Sequence, residues 1–253
     1  MTTVRLAGVD VPRIGLGTNR LTTARERVTF VREAVATGMR HIDTAHLYTD
    51  GESERAVGEA LGGDRDDVLV ATKGGYRTGE GRPEVLGAQI EQSLRSLRTD
   101  AIGLYYLHRV DPETPLEQSL GAIKDYVDRG AICHVGVSEV SVTQIDQARR
   151  IVPIAAVQNR YSLADRAHDD VVDFCERERI AFVPYYPLRG DGGPGVRAAA
   201  ERLGVTENAI KLAWLLRRSP AIVPIPGTLS IEHLRENLAA LELDLGAADD
   251  IAA

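Results

Sequence analysis

The chain has 253 residues, of which 43% are hydrophobic and 26% are charged, the balance of a folded globular protein. Its formal net charge of −7 offers no general attraction to polyanions, so a nucleic acid is not an expected partner. Its two cysteines lie in unrelated contexts, and no stretch of about 18 apolar residues occurs. We therefore expect a cytoplasmic protein, neither secreted nor membrane-spanning, whose oligomeric state the sequence leaves open.

Eight short apolar runs, rich in valine and isoleucine, alternate with longer amphipathic segments along the chain. The runs cover 14–16, 41–43, 68–72, 102–107, 132–137, 154–158, 181–185 and 221–224. They lack the polar alternation of a half-exposed strand, so each is predicted to be a strand buried on both faces. Helical spacing predicts helices over 84–97, 115–127, 143–151, 169–178, 207–216 and 231–241.

This alternation predicts an α/β fold, a (β/α)8 TIM barrel that forms a single domain over residues 1–253. Residues 4–6 and 9–11, joined by Ala7 and Gly8, predict a β-hairpin that closes the bottom of the barrel. A doubly wound sheet is the rival architecture. Its dinucleotide-binding fingerprint is incomplete, because Arg20 stands where the third glycine is required.

The ends of three successive strands carry side chains suited to acid–base chemistry. Asp43 and Tyr48 follow the second strand, Lys73 ends the third and His108 ends the fourth. In a barrel these ends share one opening. A phenol has an ordinary pKa of about 10, which a nearby ammonium is expected to lower. Tyr48 is therefore predicted to be a proton donor, with Asp43 keeping Lys73 charged.

Each of these residues also has a simpler interpretation when it is taken alone. The lysine can be a surface charge, the aspartate a turn cap, the tyrosine a rim aromatic and the histidine a strand-end residue. Their occurrence together at three strand ends favours the catalytic interpretation. No metal site is predicted, because His41 and His46 are five positions apart across a strand end and form no helical pair of ligands.

Several sequence blocks resemble the signatures of the aldo-keto reductases, in family order and over nearly the whole chain. They are IDTAHLY at 42–48, ATK at 71–73, LH at 107–108, GVS at 136–138 and VQN at 157–159. The segment IPGT at 225–228, with EN at 236–237, resembles the family's cofactor-closing segment. LHRVDP at 107–112 and the tyrosine pair at 185–186 are similar to bacterial pyridoxal reductases.

The resemblance implies an NADPH-dependent reduction of an aldehyde or ketone to an alcohol, by hydride transfer from the nicotinamide C4. It makes Tyr48 the general acid, Asp43 and Lys73 its tuning pair, and His108 the group that orients the carbonyl. The implied cofactor-binding residues are Gly17, Thr18, Asn19, Asp43, Ser138, Gln158, Tyr185, Leu188, Gly227, Thr228, His233, Glu236 and Asn237. In this set Ser138 and Gln158 hold the carboxamide, and Tyr185 stacks on the nicotinamide.

The sequence also departs from the family pattern. Glu139 stands where many members have asparagine, and its side chain either accepts a hydrogen bond from the carboxamide or turns away. Gly227 and His233 stand where many members place cations against the 2′-phosphate, so NADH is possible beside NADPH. The short C-terminal tail implies an open substrate pocket. Its candidate walls are Asn19, His46, Tyr76, Arg109 and Tyr186.

Two other functions remain as alternatives. A Schiff-base lyase or aldolase would use Lys73 as its nucleophile, but it needs a neutral amine, which Asp43 opposes. A nucleotide-sensing regulatory subunit would keep the fold and the cofactor, but it would have no need of Tyr48 and Lys73. The substrate, a small carbonyl compound, is not predicted any further.

Overall fold

The structure is a computed structural model that describes residues 3–62, 67–246 and 251. It begins with an antiparallel hairpin of β1 (Thr3–Leu6) and β2 (Val9–Pro12). Seven parallel strands then form one sheet in sequence order. They are β3 (Leu16–Gly17), β4 (His41–Asp43), β5 (Leu69–Gly74), β6 (Ile102–Leu107), β7 (Ile132–Ser138), β8 (Ile154–Gln158) and β9 (Ala181–Phe182).

Helices follow the strands of the sheet and pack outside them. They are α1 (Arg25–Ala36), α2 (Glu52–Leu61), α3 (Pro83–Leu97), α4 (Leu116–Asp128), α5 (Val142–Arg149), α6 (Asp169–Glu178), α7 (Gly193–Leu203), α8 (Glu207–Arg218) and α9 (Ile231–Ala239). The six predicted helices correspond to α3, α4, α5, α6, α8 and α9, while α1, α2 and α7 were not predicted. None of the described helices is long and apolar enough to cross a membrane.

The eighth predicted strand is not a regular strand. Residues 221–227 instead form single parallel bridges to both edges of the sheet, Ile222 with Phe182 of β9 and Gly227 with Gly17 of β3. The seven-stranded parallel sheet and its surrounding helices fit a (β/α)8 barrel, in which this segment lies between the last and first strands.

Prolines explain why the final strands are shorter than predicted. Pro224 and Pro226 lack the N–H donors that a continuous ladder requires. Their carbonyls still accept hydrogen bonds from Gly15 and Gly17, at 2.9 and 3.2 Å. Pro184 similarly interrupts the run predicted over 181–185, and β9 ends two residues before it. This segment is therefore linked to each edge strand by scattered hydrogen bonds.

The N-terminal hairpin packs against the interior face of the sheet. Its turn places Ala7 at φ 46° and Gly8 at φ 79°, as a two-residue hairpin turn requires. Leu6 and Val11 are buried in a cluster that also contains Leu69. Leu69 opens β5, so this contact lies at the N-terminal end of the sheet, as the predicted position of the hairpin beneath the barrel requires.

Candidate active site

The C-terminal strand ends surround a cleft of about 950 Å³. Asp43, Tyr48 and His108 line this cleft. Lys73 is fully buried and lies in contact with Asp43 and Tyr48. Because side chains alternate along a strand, the inward-facing residue nearest each C-terminal end points toward the opening. The structure therefore brings together the four residues that the sequence predicted as catalytic.

Lys73 and Asp43 form a buried ion pair, and both charged groups have further hydrogen-bond partners. Lys73 Nζ lies 2.5 Å from Asp43 Oδ1, with side-chain exposures of 0% and 1%. The ammonium also donates to the carbonyl of Thr44 at 2.8 Å, and Gln158 Nε2 donates to the other carboxylate oxygen of Asp43 at 2.8 Å. Removing one member of a buried pair leaves an uncompensated charge, which costs about 3–5 kcal/mol.

The surroundings of Lys73 keep its amine protonated. Burial acts to lower its pKa, but Asp43 and Tyr48 outweigh this effect and raise the pKa above its ordinary value. An ammonium has no lone pair with which to attack a carbonyl. The geometry therefore opposes a Schiff-base role for Lys73.

Tyr48 corrects one prediction made from the sequence. Its hydroxyl lies 3.5 Å from Lys73 Nζ, and its ring centroid lies 5.0 Å from the same atom. Burial nevertheless raises the pKa of the phenol more than Lys73 lowers it, so the net shift is upward. The expected net lowering was wrong because the sequence does not show how deeply the phenol is buried. The phenol is thus protonated at neutral pH.

His108 presents a neutral imidazole to the same opening. Burial, with smaller effects from Lys73 and Arg109, lowers its pKa to about 2. Its ring lies edge-on to Tyr48, with 6.1 Å between centroids. Nδ1 is buried and has no hydrogen-bond partner among the described residues. The neutral form is the one that can donate a hydrogen bond to a substrate oxygen from one nitrogen without carrying charge.

A cluster of three buried hydroxyls fixes the turns that follow β3 and β4. Thr18 Oγ1 donates to the carbonyl of Asp43 at 2.8 Å, and Ser53 Oγ donates to the carbonyl of Thr18 at 3.0 Å. The Ser53 hydroxyl also lies 2.8 Å from the hydroxyls of both Thr18 and Thr44. Because Ser53 belongs to α2, this cluster ties the Asp43 backbone to a neighbouring strand end and to a helix.

Nine of the predicted cofactor-binding residues line the cleft, and four do not. The nine are Gly17, Thr18, Asn19, Asp43, Ser138, Gln158, Tyr185, Leu188 and Gly227. Thr228 is buried and accepts a hydrogen bond from Ser230 N at 3.1 Å, ahead of α9. His233, Glu236 and Asn237 lie on α9, where Asn237 is buried and the other two are exposed.

Two arginines that sequence reasoning did not select also line the cleft. They are Arg20 and Arg189, and both are exposed. Each directly follows a residue that was predicted to bind the cofactor, Asn19 or Leu188. Their position one residue beyond those two was the only signal in the sequence.

The structure shows where Glu139 points and which of the five predicted pocket walls line the cleft. Glu139 turns toward the next strand end, where its Oε1 accepts a hydrogen bond from Arg160 N at 2.7 Å. Four of the five predicted walls line the cleft, namely Asn19, Tyr76, Arg109 and Tyr186. His46 was predicted wrongly as a wall: it is not among the lining residues, and its partly buried ring lies near Glu80 and Arg77 instead.

Comparisons with known proteins agree with this geometry. The sequence profile described as the aldo/keto reductase family matches residues 13–193. This chain belongs to the aldo/keto reductase family. It is therefore an oxidoreductase, as the sequence blocks predicted.

Individual relatives of this aldo/keto reductase cover nearly its whole length. Pyridoxine 4-dehydrogenase from Escherichia coli (strain K12) is 36% identical to it, over 96% of this chain and 94% of that protein. This relative confirms the predicted resemblance to the pyridoxal reductase branch. Probable aldo-keto reductase 1 from Glycine max is 33% identical, over 96% of this chain and 84% of that protein.

Solved structures of family members also match the fold. The thermostable aldo-keto reductase Tm1743, solved with the inhibitor epalrestat, has a TM-score of 0.91 at 31% identity, over 99% of this chain and 97% of that one. An aldo/keto reductase from Klebsiella pneumoniae, solved with NADP and acetate, has a TM-score of 0.87 at 32% identity, over 97% of this chain and 91% of that one. A second structure from Klebsiella pneumoniae contains NADPH.

Proposed function

We propose that this aldo/keto reductase reduces an aldehyde or ketone to an alcohol with NADPH, and that Tyr48 is the proton donor. One observation carries the proposal. The Tyr48 hydroxyl, at the wall of the cleft, lies 3.5 Å from the ammonium of a lysine that is fully buried and paired with a carboxylate. Burial raises the pKa of this phenol, but Lys73 acts in the opposite direction and stabilises the phenolate that remains when the proton passes to a substrate.

The residues of the cleft fit a nicotinamide dinucleotide. Ser138 and Gln158 place polar side chains in its lining, and Tyr185 supplies an aromatic surface beside them. Arg20 and Arg189 supply positive charge for phosphate groups. The cofactor is NADPH, which the Klebsiella pneumoniae relative binds in its solved structure. Thr228, His233, Glu236 and Asn237 are proposed contacts for the adenosine end of the nucleotide.

The chemistry divides between the cofactor and the chain. NADPH, when bound, supplies hydride to the carbonyl carbon. His108 donates a hydrogen bond that orients the carbonyl oxygen, and Tyr48 gives that oxygen its proton. The charge left on the phenolate is stabilised by Lys73, whose own charge is balanced by Asp43. The product is an alcohol.

The relatives also indicate which carbonyl compounds to test. The Escherichia coli relative is named a pyridoxine 4-dehydrogenase, so pyridoxal belongs in the substrate panel of this enzyme. The panel also includes benzaldehydes and simple ketones, each with NADPH and with NADH, and it follows the loss of nicotinamide absorbance. We expect faster oxidation of NADPH than of NADH. The absence of turnover with every carbonyl, in protein that binds NADPH, would contradict the proposed function and favour a regulatory role.

The Schiff-base alternative has its own test. Borohydride reduction in the presence of an aldehyde traps a covalent adduct on a nucleophilic lysine, which mass spectrometry locates. Because Lys73 is held as an ammonium, we expect no adduct at this residue. A trapped adduct on Lys73 would support the lyase instead.

A further inference from the structure

Arg109 is a cation of the cleft with only neutral hydrogen-bond acceptors. It directly follows His108, and its Nη1 donates to the carbonyl of His108 at 3.0 Å and to Ser138 Oγ at 3.3 Å. Its Nη2 donates to the hydroxyl of Tyr185 at 3.4 Å. In the described part of the chain no other acceptor bonds to the guanidinium, and no carboxylate forms an ion pair with it. A guanidinium has five N–H donors, so some remain available to a ligand.

Among the described residues, neither of the two carboxylates near Arg109 forms an ion pair with it. Asp43, the one acid among the lining residues, is paired with Lys73. Glu139 follows Ser138 in the chain, and it accepts a hydrogen bond from the backbone of Arg160. Its carboxylate also acts on the hydroxyl of Tyr185, so it lies beside a partner of Arg109 without pairing with the guanidinium itself. Asp43 is thus used by Lys73, and the lining of the cleft carries Arg20, Arg109 and Arg189 with no further acid among its residues, in a chain whose formal net charge is −7.

Aromatic rings flank the guanidinium on two sides. Arg109 Cζ lies 5.4 Å from the centroid of Tyr76 and 5.9 Å from that of Tyr185. The Tyr76 ring in turn lies 4.9 Å from the ring of His108. Tyr76 and Tyr186 are 44% and 54% exposed, and they are the large hydrophobic residues that stand out as exposed in the described structure. Such rings favour a planar partner that covers them.

We propose that Arg109 binds an anionic oxygen of the substrate, and that the enzyme prefers aromatic aldehydes carrying a carboxylate or phenolate group. This inference rests on the proposed function, because it takes the carbonyl to lie at Tyr48 and His108. The guanidinium of Arg109, next in sequence to His108, then binds the anionic group on the opposite side of the substrate's aromatic ring from the carbonyl. Arginine suits this role because its planar donors can bind both oxygens of a carboxylate.

The proposed position of the cofactor leaves Arg109 free to act in this way. The hydroxyl of Ser138 has one donor and two acceptor sites. It can therefore donate to a carboxamide oxygen while it continues to accept from Arg109. The anion and the nucleotide then occupy neighbouring positions without competing for the same group.

A matched pair of substrates tests the charge preference. 4-Carboxybenzaldehyde and its methyl ester, methyl 4-formylbenzoate, share a ring and an aldehyde but differ in charge. We expect Arg109→Met to lower kcat/KM for the acid by about 10- to 100-fold, as expected for the loss of a charge-assisted contact, with little change for the ester. Comparing variant with wild type for each substrate cancels the different intrinsic reactivities of the two aldehydes. The kcat/KM for 3-carboxybenzaldehyde, compared with that for the 4-isomer, then shows which position of the carboxylate on the ring Arg109 favours.

Two further variants separate charge from packing. Arg109→Lys keeps the charge but loses the planar fork, so we expect an intermediate loss confined to the acid. Arg189→Met removes another arginine of the cleft and should change both substrates by the same factor. Thermal melting of each variant checks that its fold is intact. An equal effect of Arg109→Met on acid and ester would overturn the proposal while leaving the reductase assignment in place.

A binding measurement separates failure of this inference from failure of the proposed function. 4-(Hydroxymethyl)benzoate and its methyl ester are titrated by calorimetry into wild type and Arg109→Met, each loaded with NADPH, with which an alcohol cannot react. Tighter binding of the acid that is lost in the variant supports the anion site, even if neither aldehyde is reduced. Equal binding of acid and ester to both proteins contradicts the anion site, whatever the turnover.

Discussion

The catalytic end of the cleft and its outer rim are built differently. At the catalytic end, Asp43, Lys73 and Gln158 are buried, and Asp43 accepts hydrogen bonds from both of the others. At the rim, Tyr76 and Tyr186 are largely exposed. The catalytic side chains are therefore positioned by their own hydrogen bonds, whereas the rim offers exposed rings to whatever substrate the cleft accepts. This difference is why the reaction class is easier to infer than the substrate.

The largest expected effect is at Tyr48. Tyr48→Phe removes the proton donor but keeps the ring, so we expect kcat to fall by about 10²- to 10⁴-fold. Nucleotide binding, measured by the fluorescence of bound NADPH, should stay within about 2-fold. A variant that retained its rate would show that Tyr48 is not the proton donor and that another group gives the substrate its proton.

Lys73 tests whether the catalytic end also stabilises the fold. Lys73→Met leaves Asp43 buried without its partner, so we expect a loss of about 3–5 kcal/mol in the free energy of unfolding, along with most activity. Lys211 offers a matched control, because it is also buried but donates to the neutral carbonyl of Gly190. Lys211→Met should cost only about 1–3 kcal/mol in urea unfolding. Equal losses in the two variants would contradict a special role of the ion pair.

His41 links the buried interior to acid stability. It is fully buried, both ring nitrogens lack partners among the described residues, and burial lowers its pKa to about 4. In the unfolded chain His41 is protonated as the pH falls through about 6.5, whereas in the folded chain it stays neutral until about pH 4. The contribution of neutral His41 to the free energy of unfolding is therefore fully present above pH 6.5 and is lost as the pH falls toward 4. For this residue the loss between pH 7 and pH 5 is about 2 kcal/mol.

His41→Leu should remove that part of the acid sensitivity. We expect its urea midpoints at pH 7 and pH 5 to differ less than those of wild type. His108 remains in both proteins, so its own contribution cancels in the comparison. Parallel pH dependence in the two proteins would show that His41 gains its proton without cost to the fold.

The smallest expected effect lies far from the catalytic end, on α9. His233 is exposed, and a contact between solvent-exposed side chains and a charged group is worth about 0.2–1 kcal/mol. If His233 contacts the 2′-phosphate, His233→Ala should reduce the preference for NADPH over NADH by about 2- to 5-fold. The ratio of kcat/KM for the two nucleotides measures this. An unchanged ratio would remove His233 from the cofactor site.

Much of the fold followed from local patterns. The apolar run over 41–43 is β4 and the run over 102–107 is β6, because strands buried on both faces have few alternatives. The eighth segment departed from prediction because its prolines remove backbone donors. That effect depends on which hydrogen bonds the neighbouring segments offer, and hydropathy does not show it.

The site was predictable in its residue types and less so in its electrostatics. The order of strand ends indicated that Asp43, Tyr48 and Lys73 would meet. The direction of the Tyr48 pKa shift depended on burial, which is a property of the packed cleft. Likewise, the orientation of Glu139 toward Arg160 depended on the neighbouring strand end. Such outcomes arise from contacts between residues distant in sequence.

The hydroxyl cluster of Thr18, Thr44 and Ser53 contains fewer protons than contacts. Four close oxygen pairs share three hydroxyl protons, so at least one pair at any instant has no proton between its oxygens. As in ice, rotation of a hydroxyl can move this vacancy without moving a heavy atom. The same heavy-atom arrangement around the Asp43 carbonyl is thus compatible with more than one arrangement of the hydroxyl protons.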